Sequence, residues 1–424
     1  MWHMKATFGL FLLTLPFLLQ AQATKRALFI GNSYTYYNSL PEIVSDIAQS
    51  AGDTLIVFSS TPGGYTLANH LSNTATMNYI AQGGWDFVVL QEQSQMPAFP
   101  LAQVEAETFP YAAQLNDSIL YHNPCAETVL YMTWGRQNGD SQNCANWPPV
   151  CTYEGMDDLL QERYMMMADL NEALVSPVSA VWRNVRELHP DIQLYASDGS
   201  HPSPTGSYLA AMCFYTTFFR KSPLNTNYSY TIADSTANMI TQTVDEIVFQ
   251  HLNDWYIGAY DPQASGELTW TNANDLQLTN TSANATESYY ALDGGDFTAM
   301  FNDNVSITVS ELGTHTITLI AAHCEIADTA FITFDIASSI SESALQDAIS
   351  IFPNPTHGNT CIVIPEGFHQ SEISIFQSTG KIILQKTQLC NRQHYIDCNS
   401  WPAGVYTVRI SNAFHTVFKR LVIE

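Results

Sequence analysis

Two short clusters carry side chains able to do covalent chemistry. The first is Gly31-Asn32-Ser33, which directly follows the apolar run from Ala27 to Ile30. A serine there sits at a strand's carboxyl end where a helix begins, with N–H groups nearby that can stabilise an oxyanion. Taken alone, the same three residues more commonly form a turn with a helix-capping serine. The second is Asp198-Gly199-Ser200-His201-Pro202, just ahead of an expected helix from Pro204. Three residues of separation on a turn let both side chains face one cleft. A buried Asp198 would then orient His201, and His201 would take the Ser33 proton. Alone, this cluster reads as a polar loop with a solvated histidine.

Two further clusters follow expected strands. Gly64, in Thr61-Pro62-Gly63-Gly64, can offer an unhindered N–H to a developing oxyanion. Gln91 and Gln93, in Gln91-Glu92-Gln93-Ser94, fall on one side of an extended chain, and either amide is a candidate third donor. Trp134 and Arg136 end another strand; with Asn32 they are the candidate substrate contacts, an aromatic beside a guanidinium suiting a sugar or an anion. Packing explains Trp134 equally well. His70, on an expected helix after Gly64, reads as structural. With no CxxC and no HExxH, no metal is suggested, and no cofactor is called for.

These clusters need a scaffold that brings strand ends together. From Thr24 to about Ile257, short apolar runs alternate with stretches of helical period, the signature of βαβ units and a parallel sheet. Strands are expected at Ala27 to Ile30, Leu55 to Phe58, Phe87 to Leu90, Thr128 to Thr133 and Ile192 to Ala196. Helices are expected at Leu40 to Gln49, Ala102 to Leu120, Asp157 to Leu174, Val178 to Leu188, Pro204 to Arg220 and Asp234 to Leu252. The inferred unit is a three-layer α/β/α domain, whose ligands bind at the carboxyl ends of its strands.

After Tyr260, Thr-, Asn- and Ser-rich segments alternate with period two, as in Ile332-Thr333-Phe334-Asp335-Ile336. The expected division is a leader at 1–23, an α/β domain at 24–257, a β-sandwich at 258–337, a linker at 338–348 and a second β-sandwich at 349–424.

Composition limits the partners. Fifteen Lys and Arg against forty Asp and Glu give a net charge of -25 over 424 residues, which repels nucleic acid and anionic membranes. Hydrophobic residues at 46% supply a core for two or three units. Lys5, the apolar run from Phe8 to Leu19 and Ala21-Gln22-Ala23 match a signal peptide, so no transmembrane helix is expected in the mature chain. Eight cysteines suit an oxidising compartment. Cys144 and Cys151 are the candidate local disulfide, whereas Cys125 and Cys213 read as buried thiols.

The order Ser, Gly, Gln, then Asp and His at strand ends leads to a family. GNSYT resembles block I of the SGNH (GDSL-like) hydrolases, Gly64 looks like the block II glycine, and DGSH is similar to the block V DxxH. The chain departs from the family at Asn32, where aspartate is usual, and at LQEQS, which stands where GxND supplies an oxyanion asparagine. LFIGNSYTYYN, WDFVVLQEQS, LYMTWGR and SDGSHPSPTGSYLAA resemble a subfamily of bacterial SGNH-like proteins of undefined function. The resemblance spans roughly Arg26 to Phe219. It implies a flavodoxin-like fold and a Ser33, His201, Asp198 triad with an oxyanion hole from the Ser33 and Gly64 N–H groups and Gln93 or Gln91.

GTHTITLIAAHC resembles the last strands of PKD-like or immunoglobulin-like modules, with His315 and His323 read as solvated strand residues. FPNPTHG, ISIF, STGK, WPAGVY and KRLVI resemble the type IX secretion sorting domain of Bacteroidota, which implies export through the outer membrane by that machinery. Together these imply an exported serine esterase, with carbohydrate O-acetyl groups as the expected substrate. The alternative class is a surface glycan-binding or adhesive protein whose α/β domain has lost catalysis, a reading motivated by LQEQS.

Overall fold

A computed structural model describes residues 24–272, 275–336, 346–365, 371–389, 392–412 and 415–424. The expected leader at 1–23 and most of the expected linker lie outside them. The chain divides into two compact units, one ending at Tyr260 and one beginning at Asp261.

The first unit is built on five parallel strands, β1 (Thr24–Ile30), β2 (Thr54–Ser60), β3 (Phe87–Leu90), β4 (Glu127–Tyr131) and β5 (Leu174–Ser176). Their order, β2-β1-β3-β4-β5, is the doubly wound flavodoxin-like arrangement expected. Ala27 to Ile30 and all of β3 are buried, because both sheet faces are covered by helices. Side chains alternate between two cores. Phe29, Val89, Val129 and Tyr131 meet the helices Leu40–Ser50, Val178–Leu188 and Pro204–Phe219, whereas Leu28, Ile30, Leu90 and Leu130 meet Phe109–His122 and Tyr153–Asn171.

Register does the positioning. Ile30 lies opposite both Ser60 and Leu90, and Leu90 opposite Leu130. The residues after β1, β2, β3 and β4 therefore leave the sheet at one edge, which is why clusters at 31–33, 61–64, 91–95 and 132–136 meet.

Several expected elements are corrected. Ile192 to Ala196 is not a strand; only Tyr195 bridges to Pro202, and the fifth strand is Leu174–Ser176, paired with Val129 to Tyr131. Three fully buried residues are too short a run to show strand period. The long helix expected from Ala102 is two, Leu101–Glu107 and Phe109–His122, because Pro110 lacks the N–H that would continue the first ladder. The helix expected from Asp157 starts at Tyr153, capped by Thr152, and ends at Asn171. The last helix of the unit ends at Ile247 rather than Leu252, and 3-10 turns follow from Phe249 to Trp255.

Cys144 and Cys151 form a disulfide with Cα atoms 4.7 Å apart. Cys213 is a buried free thiol, as expected. Cys125 is not: it is exposed and disulfide-bonded.

Among the described residues of the second unit, the strand ladders are antiparallel. In one part Asp275–Asn280 pairs with both Asn304–Thr308 and Gly266–Trp270, and Gly313–His323 pairs with both Ile326–Ile336 and Glu287–Leu292, around Leu276, Leu278, Ile307 and Ile317. The other carries Ser350–Phe352, Asn359–Val363 and Gln393–Asp397 in one sheet and four longer strands in a second, around Ile362, Ile375, Val408 and Leu421. His315 departs from the solvated reading: it is buried, with Nδ1 2.7 Å from Asp293 Oδ2 and Nε2 3.0 Å from the Glu311 carbonyl.

Candidate active site

Ser33 opens the short helix Ser33–Tyr36, whose cap is Asn32: its Oδ1 accepts the Tyr34 N–H at 3.1 Å. As the first helical residue, Ser33 has no intrahelical acceptor for its own N–H. Its Oγ lies 2.8 Å from His201 Nε2, and His201 Nδ1 lies 2.5 Å from Asp198 Oδ2. An ionised Asp198 can only accept, so Nδ1 carries the proton and Nε2 is left to accept from the serine hydroxyl.

Asp198 is not buried as expected; its side chain keeps 46% of its exposure, and that of His201 24%. What orders it is hydrogen bonding: Oδ1 also accepts the Ser200 and His201 N–H groups at 2.9 and 3.0 Å. Burial alone would raise its carboxyl. The bonds from His201 and from the two backbone N–H groups outweigh that and hold it below the usual carboxylate range.

The loop carrying Asp198 and His201 is gripped by the end of β4. Gln137 N–H donates to the Gly199 carbonyl at 2.8 Å, and Trp134 Nε1 to the Ser200 carbonyl at 3.1 Å. Trp134 thus differs from the expected cleft platform: it is fully buried, stacked on Trp182 at 3.8 Å and on Tyr34 at 5.0 Å. Arg136 is partly exposed, with an Nη 3.2 Å from Asp140 Oδ1. Asp140 is buried and also accepts from Gln95 and Asn143, in the loop stapled by Cys144 and Cys151.

Asn32 is likewise not positioned to touch substrate. It is buried, and its Nδ2 donates to the Tyr65 carbonyl at 2.8 Å, which ties the Gly63-Gly64 turn to the nucleophile turn. Gly64 itself is exposed at φ +73°, a conformation that favours glycine, and nothing stands within 4 Å of where a Cβ would be.

The two glutamines part company. Gln91 is fully buried; its Oε1 accepts the Asn32 N–H and the Thr35 hydroxyl, both at 2.9 Å, and its Nε2 donates to the Glu92 carbonyl. That amide is engaged at both ends, its oxygen by the nucleophile turn and its nitrogen by Glu92. Gln93 is half-buried and exchanges hydrogen bonds with Gln95, its Nε2 donating at 3.2 Å to Gln95 Oε1. One of its two amide hydrogens serves that bond.

Sequence reasoning missed the groups that surround the triad. Tyr37 stacks on the His201 ring and Tyr34 meets it edge-on. The aromatic run after Ser33 was visible in SYTYY, but not which ring would face the histidine. His70, read as structural, is buried beneath the nucleophile turn: Nε2 lies 2.9 Å from the Gly31 carbonyl and Nδ1 2.9 Å from Thr76 Oγ1. Burial lowers its pKa, which keeps it a neutral donor to Gly31. Glu92 is buried too, accepting the Gln93 and Leu67 N–H groups, and burial pushes its carboxyl up to about 8. Among the described residues no His, Cys, Asp and Glu cluster could hold a metal ion, and no helix is long and apolar enough to cross a membrane.

Comparison with solved structures returns proteins that overlap part of the chain. A DUF4886 family protein from Bacteroides uniformis is 17% identical, over 53% of this chain and 95% of its own, with a TM-score of 0.47. A candidate SGNH hydrolase from Slackia heliotrinireducens is 29% identical, over 45% of this chain and 97% of its own, with a TM-score of 0.38. An acetyl xylan esterase is 11% identical, over 45% of this chain and 98% of its own, at 0.35. No curated protein matches the chain. Residues 350–424 match the secretion system C-terminal sorting domain, so the chain carries the tail that directs export to the cell surface or beyond it.

Proposed function

We propose that this protein is an exported serine esterase that hydrolyses carboxylic esters, with carbohydrate O-acyl groups as its substrate class. The observation that carries the reading is the continuous line Ser33 Oγ, His201 Nε2, His201 Nδ1, Asp198 Oδ2, with gaps of 2.8 and 2.5 Å at its two hydrogen bonds. The leader at 1–23 would begin the export that the sorting domain completes.

Ser33 Oγ attacks the ester carbonyl carbon as its proton passes to His201 Nε2, and Asp198 stabilises the imidazolium. The carbonyl oxygen becomes an oxyanion, held by the Ser33 and Gly64 N–H groups, with Gln93 as the side-chain donor. Collapse breaks the bond to the alcohol oxygen, which takes the proton from Nε2. Water, deprotonated by His201, then releases the acid and restores the serine. The exposure of Asp198 and His201 supports a bulky, polymeric alcohol, since the triad lies at the surface.

The commitment of Gln91's amide to Glu92 favours a second reading, a glycan-binding protein without catalysis, because it removes one candidate oxyanion donor. Labelling with a fluorophosphonate probe separates the two. The esterase reading expects labelling that Ser33→Ala abolishes, together with p-nitrophenyl acetate turnover. Neither signal, with glycan binding retained, would establish the second reading instead.

A further inference from the structure

We infer that Gln91 is a positioning residue for Ser33: its carboxamide, buried beneath the nucleophile turn, sets the backbone from which the Ser33 hydroxyl and N–H project. The inference rests on the esterase reading of Ser33.

The turn at Gly31 and Asn32 is held from four directions. Gly31 N–H donates to the Ser60 carbonyl at 3.1 Å, linking it to β2. His70 holds the Gly31 carbonyl, and Tyr65 holds the Asn32 amide. The Asn32 N–H is held too: this buried donor bonds to Gln91 Oε1 at 2.9 Å. Because the same oxygen accepts from Thr35 Oγ1, one acceptor joins the residue before Ser33 to the helical turn after it. A carbonyl oxygen has two acceptor sites, so both are filled.

Gly31 makes this approach possible. A Cβ there would lie 2.6 Å from Gln91 Oε1 and 2.5 Å from Thr35 Oγ1, closer than atoms pack. The glycine, the glutamine and the threonine therefore form one device. Gln91's own orientation is set by Nε2 donating to the Glu92 carbonyl; swapping its oxygen and nitrogen would set donor against donor at the Asn32 N–H and acceptor against acceptor at Glu92. Fixing a nucleophile's geometry in advance is worth much in rate, and a displacement of about 1 Å costs about a hundredfold.

The full chain is compared with Gln91→Leu, which keeps the bulk and removes the polar atoms, with Gln91→Glu, which keeps the acceptor, and with Thr35→Val. Three readouts are taken: the fluorophosphonate labelling rate of Ser33, kcat and KM on p-nitrophenyl acetate, and hydrogen exchange of the segment containing Asn32. Gln91→Leu is expected to lower labelling and kcat about a hundredfold with KM little changed, and to speed exchange at Asn32. Gln91→Glu should recover part of both. Thr35→Val should lower labelling about fivefold, and it keeps the test open should Gln91→Leu not fold. Wild-type labelling rates in Gln91→Leu, or in Thr35→Val if that alone folds, would overturn the inference and leave the esterase reading standing. If the parent chain is never labelled, the esterase reading fails, and faster Asn32 exchange in Gln91→Leu would then mark the contact as structural alone.

Discussion

Tyr37 lies face to face with the imidazole of His201, ring centroids 4.2 Å apart and planes 14° from parallel. With Tyr34 edge-on at 5.4 Å, the histidine has one rotational setting in which both Nδ1 and Nε2 meet their partners. Tyr37→Ala should lower kcat/KM on p-nitrophenyl acetate by about three- to tenfold, the worth of one aromatic contact. Tyr37→Phe keeps the stack and should stay near the parent value; an equal loss in both variants would assign the effect to the hydroxyl.

Asp198→Asn replaces the acceptor that fixes the His201 tautomer, and a fall in kcat of about a thousandfold or more is expected. The sign with pH follows from its depressed carboxyl. The ionised form is present above the ordinary Asp range and is lost only as pH falls through the lowered folded value. A kcat profile should therefore show no Asp198 contribution to the acid limb above about pH 4.

Glu92 works in the opposite direction. Its folded pKa, about 8, lies above the unfolded value, so the folded chain holds a proton that the unfolded chain has released. Stability should fall as pH rises from the unfolded value towards 8, then level off. Glu92→Gln keeps a carbonyl acceptor for Gln93 and Leu67 and cannot ionise. Urea unfolding of the variant should show a weaker decline across that window, with an advantage on the order of a few kcal/mol at pH 8. Parallel curves for the two chains would contradict this.

Removing the disulfide through Cys144→Ser with Cys151→Ser should cost about 2 kcal/mol in urea unfolding, given the short loop it closes. Activity should fall less than stability, because Asp140 retains its bonds from Gln95 and Asn143 and still pairs with Arg136.

Much of this molecule is written locally. The parallel fold was legible because Leu28-Phe29-Ile30 and Phe87 to Leu90 are short apolar runs set between helical periods, and binary pattern survives any detail of packing. The short fifth strand was not, since Leu174 to Ser176 is marked by burial alone. The strand-end position of Ser33 and the closeness of Asp198 to His201 were legible because a strand-to-helix turn and a three-residue spacing are chain-local features. The sorting tail was legible for the same reason, in its recurring turn motifs.

What only the tertiary structure decided is which polar atom faces which. Gln91 and Gln93 share one side of an extended chain, yet one is buried under Asn32 and the other lies near Gln95. Trp134 and Asn32 are polar-tipped residues at the right strand ends, and both turn inward to satisfy backbone groups. By itself the sequence determined the edge of the sheet at which chemistry could occur. Side-chain roles there depend on hydrogen-bond partners that are distant along the chain, and those partners exist only once β1, β2, β3 and β4 are in register.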